Sequence, residues 1–180
     1  MLYSYNTCVE KYGTKYLMKK AVESGELFCL EKGIYSDEKY VSEDAIIAMK
    51  YPRAVFTLDS AFYYHGLTDV IPEKYYLSTD RNATKISDNR IVQIFEQANI
   101  LYMGATEFDR NGYSIPVYTK ERLLVELLRH KTKLPFDYYK EVLLNFRNIV
   151  HSLDIRAVQD YAERVPKTAR IMEILQLEVL

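Results

Sequence analysis

The feature that most constrains the fold is a change in the spacing of apolar residues along the chain. From Lys74 to Thr79 apolar and polar side chains alternate with a period of two, which is typical of a β-strand with one buried face. From Leu123 to Leu128 the leucines follow helical spacing instead. Because the two patterns occupy separate regions, we predict an α+β fold in which a sheet precedes a set of helices.

The region from about residue 51 to residue 119 is predicted to form a small mixed β-sheet. Its first strand, Ala54–Leu58, is rich in β-branched and aromatic residues and leads into a short helix that ends at Gly66. Asn111 and Gly112 indicate a tight turn between the last two strands. The further strands are expected at Lys74–Thr79, Ile91–Phe95, Ile100–Met103 and Tyr113–Tyr118.

Residues 120–180 are predicted to form a closing helical bundle. Pro135 is expected to begin the second helix, Asp154 to cap the third, and Pro166 to separate the third from the last. The first helix carries the leucine stripe, and we expect its charged residues on the opposite, solvent-facing side. These charged residues are Glu121, Arg122, Glu126 and Arg129.

The first 36 residues have the order helix, turn, helix, hairpin. The helices are expected at Thr7–Tyr12 and Lys15–Ser24, and the extended pieces at Glu26–Leu30 and Ile34–Tyr35. This order is typical of a winged helix-turn-helix, a DNA-binding unit. Only about a dozen residues precede Thr14, so we expect a trimmed unit without the additional helix that usually starts such domains.

The second predicted helix and its surroundings carry a cluster of positive charge. Because the whole chain has a formal net charge of -1, any contact with nucleic acid must come from such local clustering. We predict that a cationic face of this helix contacts DNA phosphates, although the same lysines are also typical of a solvated surface helix. The candidate DNA-binding residues are Lys11, Lys15, Lys19, Lys20 and Lys32.

Three stretches resemble the AbiEi-type abortive-infection antitoxins. GELFCLEKGIYS (Gly25–Ser36) resembles the end of their wing, and YPRAVFTLDSAFYYHGLTDVIPEKYYLST (Tyr51–Thr79) resembles their Ser-Ala, His-Gly-Leu-Thr and Pro signature. VYTKERLLVELL (Val117–Leu128) is similar to their Glu-Arg helix, with Glu126 where relatives often carry aspartate. The motif residues, for which we expect structural roles, are Gly33, Tyr35, Ser60, His65, Gly66, Glu121 and Arg122.

The resemblance implies a function in bacterial phage defence. It implies a transcriptional regulator that represses its own operon through a winged unit at residues 1–36, and an antitoxin domain at residues 37–180 that counteracts a nucleotidyltransferase toxin. The partners would be operator DNA and the cognate toxin.

The alternative is a protein interaction module that has lost DNA contact, and charge geometry discriminates between the two. An exposed face shared by Lys15, Lys19 and Lys32 and free of carboxylates favours DNA binding, whereas cover by Glu23, Glu31 or the later domain favours the module. The 17 tyrosines suit partner binding better than RNA stacking.

Catalysis is not expected, because the sequence holds no Walker loop, Gly-x-Ser-x-Gly elbow, His-Glu-x-x-His pair or Cys-x-x-Cys. A metal-dependent nuclease would need Asp59, Asp69 and Asp80 to converge in the fold. His65 is the best isolated acid-base candidate, but a histidine before a helix-ending glycine commonly serves backbone carbonyls. We therefore expect no metal, no cofactor and no small-molecule substrate.

The remaining histidines and the cysteines fit the same prediction. His130 and His151 lie near predicted helix ends without a ligand partner at suitable spacing, and Cys8 and Cys29 are too few for a disulfide scaffold or a four-thiolate zinc site. No signal-peptide pattern and no long apolar stretch is present, so we expect a cytoplasmic protein without a membrane contact.

Overall fold

In a computed structural model, which describes residues 1–179, helices and small sheets combine in an α+β fold, as predicted. Leu180, the last residue of the predicted helical region, lies outside the described residues. Contacts divide the chain into two compact units, Met1–Arg53 with Phe108–Ile115, and Ala54–Glu107 with the residues from Pro116 onward. The first unit thus continues past Ser36, the predicted end of the winged unit.

The first unit is built around a three-stranded sheet in the order β1-β3-β2, with antiparallel neighbours. α3, for which no helix was predicted, packs against β1 and β3. A small core fills the space between the sheet and the first two helices, and its buried members are Tyr3, Cys8, Met18, Ala21 and Leu27. The elements are β1 Leu2–Ser4, α1 Tyr5–Tyr12, α2 Lys15–Ser24, β2 Phe28–Glu31, β3 Ile34–Ser36 and α3 Glu43–Lys50.

The later strands form a mixed five-stranded sheet in the order β6-β5-β4-β8-β7. β4 is antiparallel to β5 and parallel to β8, and β5 is parallel to β6. The elements up to the last strand are β4 Val55–Phe56, α4 Leu58–Tyr64, β5 Tyr75–Asp80, β6 Ile91–Glu96, α5 Ala98–Leu101, β7 Ala105–Arg110 and β8 Tyr113–Tyr118.

Two predictions about these strands were wrong. Ile100–Met103 is not a strand: α5 ends at Leu101, and β7 begins only at Ala105. Adjacent Ile100 and Leu101 are both buried, which suits a helical turn better than a strand with one covered face. In β5 three successive residues, Leu77–Thr79, are buried, so this strand is covered on both sides rather than on one.

The last part of the described chain is helical. Its elements are α6 Lys120–His130, α7 Phe136–Ile149, a 3₁₀ turn Val150–Ser152, α8 Ile155–Arg164, α9 Thr168–Ile174 and a π-helical turn Leu175–Val179. The predicted helix starts are confirmed, since Pro135 directly precedes α7 and the Asp154 carboxylate accepts the Ala157 N–H at 3.1 Å. None of the described helices is long and apolar enough to cross a membrane.

The predicted solvent-facing side of α6 was wrong for its central charges. Arg122 and Glu126 are completely buried, and only Glu121 and Arg129 keep partial exposure. Burial of both signs of charge together is tolerated because each charge finds an opposite partner and hydrogen bonds inside the protein.

Candidate nucleic-acid interface

Helix α2 is defined at both ends by local backbone chemistry. The Thr14 hydroxyl accepts the Leu17 N–H at 3.2 Å, and Gly25 ends the helix in the left-handed conformation with φ +78°. Met18 and Ala21 face the core, whereas Leu17 is 48% exposed. The helix is therefore held by a narrow apolar stripe and leaves most of its surface outside the core.

Lys15 and Lys19 lie on this outer surface, one helical turn apart. Both side chains are exposed, and neither forms an ion pair or hydrogen bond with the described residues. Such ammonium groups are available to a phosphate partner without first breaking an internal contact.

Lys11 and Lys20 have different surroundings. Lys11 donates a hydrogen bond to the Tyr3 hydroxyl at 2.9 Å, and this bond is the main reason its pKa is raised. Lys20 lies 5.1 Å above the Tyr16 ring. Both lysines line an open groove that also contains the carboxylates of Glu23 and Glu26. This groove is thus mixed in charge, and neither Lys15 nor Lys19 lines it.

Lys32 occupies the turn between β2 and β3 and is exposed. Its neighbour Glu31 is paired with Lys50 at 2.9 Å, so the carboxylate closest to Lys32 in sequence is neutralised by a residue of α3. The hairpin therefore presents a positive charge at its tip.

The motif residues of the first unit shape this hairpin. Gly33 follows Lys32 with φ +85°, and its carbonyl accepts the Tyr5 N–H at 3.0 Å, which connects the turn to the start of α1. Tyr35 pairs in register with Tyr3 and Cys29 on its two neighbouring strands and packs against the small core. Gly33 thus shapes the turn, and Tyr35 contributes to strand pairing and core packing.

The motif residues after β4 connect a short helix to two strands. The Ser60 hydroxyl accepts the Tyr76 N–H at 2.9 Å, which joins α4 to β5. His65 Nε2 lies 2.8 Å from the Tyr118 carbonyl oxygen at the end of β8, and Gly66 follows in the left-handed region with φ +66°. The histidine thus serves a backbone carbonyl, but that of a distant strand instead of its own helix.

The environment of His65 favours its neutral form. Burial lowers its pKa below 6.5; the Tyr118 carbonyl raises the pKa and the charge of Lys120 lowers it. A neutral ring that donates Nε2–H to the carbonyl explains the short contact.

The Glu-Arg motif of α6 lies at a buried charge network. Arg122 stacks 4.6 Å above the Tyr118 ring and donates to the Ile100 and Met103 carbonyls at 2.9 Å. Its guanidinium also pairs with Glu126 at 2.9 Å and with Glu96 at 3.3 Å. Glu121 lies outside this network, and its carboxylate accepts the Asp154 N–H at 3.4 Å.

The second half of the network surrounds Glu126. Arg129 and His130 lie 3.1 and 3.4 Å from its second oxygen. Burial by itself raises the pKa of Glu126, but the hydrogen bond with His130 and the charges of Arg129 and Arg122 outweigh it and lower the pKa to about 2. No single sequence motif indicates this network, because Glu96 comes from β6 and the other members from α6.

The residues considered for catalysis remain separate. Asp59 is partly buried, and desolvation raises its pKa, whereas Asp69 is exposed and Asp80 accepts the Asn82 N–H at 2.7 Å. Within residues 1–179 no group of three or more His, Cys, Asp or Glu side chains is placed to hold a metal ion. His151 is exposed, and Cys8 and Cys29 are free thiols, one buried and one exposed.

Comparison with known proteins shows a similar fold but no matching sequence family. No family model and no curated protein matches the sequence. The crystal structure of the RV2827C protein from Mycobacterium tuberculosis is similar, with a TM-score of 0.64 over 98% of this chain and 71% of that chain. The two sequences are 15% identical, so the likeness concerns the fold alone.

Proposed function

We propose that this protein is an antitoxin of a bacterial abortive-infection toxin–antitoxin pair, which binds its own operator through a winged helix-turn-helix. The DNA-binding surface consists of α2 and the β2–β3 hairpin, and its phosphate contacts are Lys15, Lys19, Lys20 and Lys32. The region that follows the hairpin counteracts a nucleotidyltransferase toxin.

The proposal of DNA binding rests on the exposure of Lys15 and Lys19 and on their lack of an internal partner among the described residues. They lie one turn apart on a helix that follows a tight turn, and they make no internal ion pair among the described residues. A hairpin with exposed Lys32 follows directly, and the adjacent Glu31 is paired with Lys50. Phosphate contacts of this type position a protein on DNA without reading sequence.

The antitoxin part rests on the family motifs in the sequence. Ser60, His65, Gly66 and Arg122 hold strand and helix ends together by hydrogen bonds and backbone conformation. Because these motif residues stabilise the fold, they support the proposal of a scaffold shared with the antitoxins. We propose no catalytic role for them.

The DNA-binding test is fluorescence anisotropy of labelled DNA from the protein's own promoter. We expect Lys19→Ala to weaken specific and nonspecific DNA about equally, because a lost phosphate contact removes affinity without sequence information. Lys140→Ala, an exposed lysine on α7, is the matched control and should leave binding unchanged. Binding that is absent at low salt, or independent of Lys15 and Lys19, would reject the repressor.

An interaction module is the second candidate, and one observation favours it. Tyr16 and Leu17 on α2 are 65% and 48% exposed, and an exposed aromatic beside an aliphatic side chain suits a protein partner. If this surface binds protein, Tyr16→Ala should abolish capture of the cognate toxin while Lys19→Ala does not.

The antitoxin test uses the neighbouring gene. Co-expression with a nucleotidyltransferase-like protein encoded immediately downstream should restore the growth that this toxin inhibits. A Lys15→Ala, Lys19→Ala double variant should still restore growth, because the proposed neutralising region lies beyond the hairpin. An absent neighbour of this kind, or no restored growth with wild-type protein, would contradict the antitoxin assignment.

A further inference from the structure

A cavity on the second compact unit has the composition of an anion site. It lies beside the edge strand β6 and the end of α6, with a volume of about 560 Å³. Ligand pockets in proteins typically have volumes of about 300–1,000 Å³, so one nucleotide unit fits a space of this size. None of the residues already assigned to DNA contact lines it.

The cavity is lined by more positive than negative charge. Arg81, Lys133, Lys167 and Arg129 contribute positive charges, and Glu96 is the single carboxylate on its wall among residues 1–179. That carboxylate is already shared between Arg122 and Arg129. The cavity wall therefore carries an excess of positive charge, and its carboxylate, Glu96, already pairs with two arginines.

The two exposed cations, Arg81 and Lys133, each form a main-chain hydrogen bond with another residue of the cavity wall. The Arg81 N–H donates to the Glu96 carbonyl at 2.7 Å, and the Lys133 N–H donates to the His130 carbonyl at 2.8 Å. Their side chains are exposed and form no ion pair with the described residues. The main chain of both residues is thus anchored beside the cavity, and their side chains remain available to a ligand.

The buried wall contributes a donor without a partner. Arg129 is only 8% exposed, and its Nη2 contacts both Glu96 and Glu126. Its Nη1 is buried and has no hydrogen-bond partner among the described residues. A buried donor of this kind is stabilised by any acceptor that reaches it, and phosphate oxygens are strong acceptors for arginine.

The remaining feature is an exposed aromatic ring on the cavity wall. Phe95, on the edge strand β6, is 47% exposed and lines the cavity with the cations. Exposed aromatic rings beside positive charge are typical of sites where a base stacks and its phosphate pairs.

We propose that this cavity binds one nucleotide unit, with the phosphate held by Arg81, Lys133 and Arg129 and the base stacked on Phe95. The ligand is bound and not converted. This site does not depend on DNA binding by α2. The same chemistry has two sources, a free nucleoside monophosphate or a unit of a single-stranded RNA, and the test separates them.

The test uses a Lys15→Ala, Lys19→Ala background, so that the proposed DNA-binding surface does not contribute. Binding of a short fluorescein-labelled oligoadenylate is measured by anisotropy, and binding of AMP and of inorganic phosphate is measured directly by calorimetry. AMP that binds as tightly as the oligonucleotide identifies a free nucleotide site, and an oligonucleotide that binds more tightly than AMP identifies single-stranded RNA. Absence of binding by both AMP and the oligonucleotide would overturn the proposal.

Substitutions at exposed positions localise the site without disturbing the buried network. Lys133→Gln and Arg81→Gln should each weaken binding on the order of tenfold, the effect of one lost charge-assisted hydrogen bond. Phe95→Leu should weaken the oligonucleotide or AMP at least about fivefold through lost stacking but leave inorganic phosphate unaffected. Lys74 is exposed and directly precedes the first residue of β5, away from the cavity lining, so Lys74→Gln is the matched control and should leave binding unchanged. Equal binding by all four variants would also overturn the proposal.

Discussion

Gly66 and His65 occupy positions where backbone conformation or a buried polar atom allows few other residues. Gly66 has φ +66° and a substituent at its Cβ position would meet open space, so the constraint on this residue is conformational and not steric. His65 satisfies the Tyr118 carbonyl from another part of the second unit. Each of these roles predicts a measurable effect on stability.

We expect Gly66→Val to lower the free energy of unfolding by about 1 kcal/mol or more, because a β-branched residue disfavours positive φ. Gly66→Asn is the control, since asparagine tolerates the left-handed region. Urea unfolding of both variants checks the prediction. Equal stability of the valine and asparagine variants would show that the conformation at this position does not limit stability.

The pH dependence of His65 has a defined sign. Its pKa in the folded protein lies below 6.5, so the unfolded chain binds the proton more readily and stability falls as pH drops below about 6.5. His65→Gln keeps a donor for the Tyr118 carbonyl but does not titrate. The stability difference between wild type and variant should therefore shrink from pH 7.5 to pH 5.5, as measured by urea unfolding. A difference that is constant or grows would contradict this assignment.

At the scale of elements, α6 combines an apolar stripe with a buried charge network. Its leucines Leu123, Leu124, Leu127 and Leu128 are buried as their spacing predicted. Between them Arg122 and Glu126 connect the helix to α5 through the Ile100 carbonyl and to β6 through Glu96. The helix is therefore fixed by packing and by specific polar pairs at the same place.

Glu126→Gln should cost about 3–5 kcal/mol of stability at neutral pH, because it leaves two buried guanidinium groups with one carboxylate fewer. The pKa of Glu126 is lowered from 4.5 to about 2, so its contribution is present above pH 4.5 and is lost as pH falls through about 2. Denaturant unfolding from pH 7 to pH 2 checks both the cost and its decline.

Two control variants separate charge from position. Glu126→Asp keeps the charge on a shorter side chain and should cost less than Glu126→Gln. Glu163→Gln, at an exposed position of α8, should have almost no effect. A loss in Glu126→Asp as large as that in Glu126→Gln would indicate that the position of the carboxylate matters as much as its charge.

At the scale of the whole molecule, positive and negative charges nearly balance. The formal net charge is -1, so a proposed DNA contact must be local and sensitive to salt. With roughly four phosphates neutralised by Lys15, Lys19, Lys20 and Lys32, the counterion-release slope is about -3.6, and affinity should fall on the order of a hundredfold between 50 and 200 mM salt. Lys19→Ala should reduce the slope by about one unit, as measured by anisotropy across salt concentrations. An unchanged slope would remove Lys19 from the interface.

Local signals in the sequence located many helix and strand boundaries. Lys15–Ser24 and Tyr113–Tyr118 have their predicted bounds, because caps, glycines and apolar spacing act within one element. β1 and α3 were missed, and each is supported by packing or pairing with β3. Such short elements gain their stability from neighbours and leave a weak signal of their own.

Spacing and propensity within a few residues specify the α+β class, the helix–turn–helix–hairpin order of the first unit and the leucine face of α6. Tertiary contacts set the α5–β7 arrangement, the burial of Arg122 and Glu126, and the cavity at Phe95 and Lys133. At Gly104, for example, a Cβ atom would lie 2.7 Å from the Arg122 Cβ. Contacts of this kind join residues far apart in the chain, and a pattern within one element does not specify them.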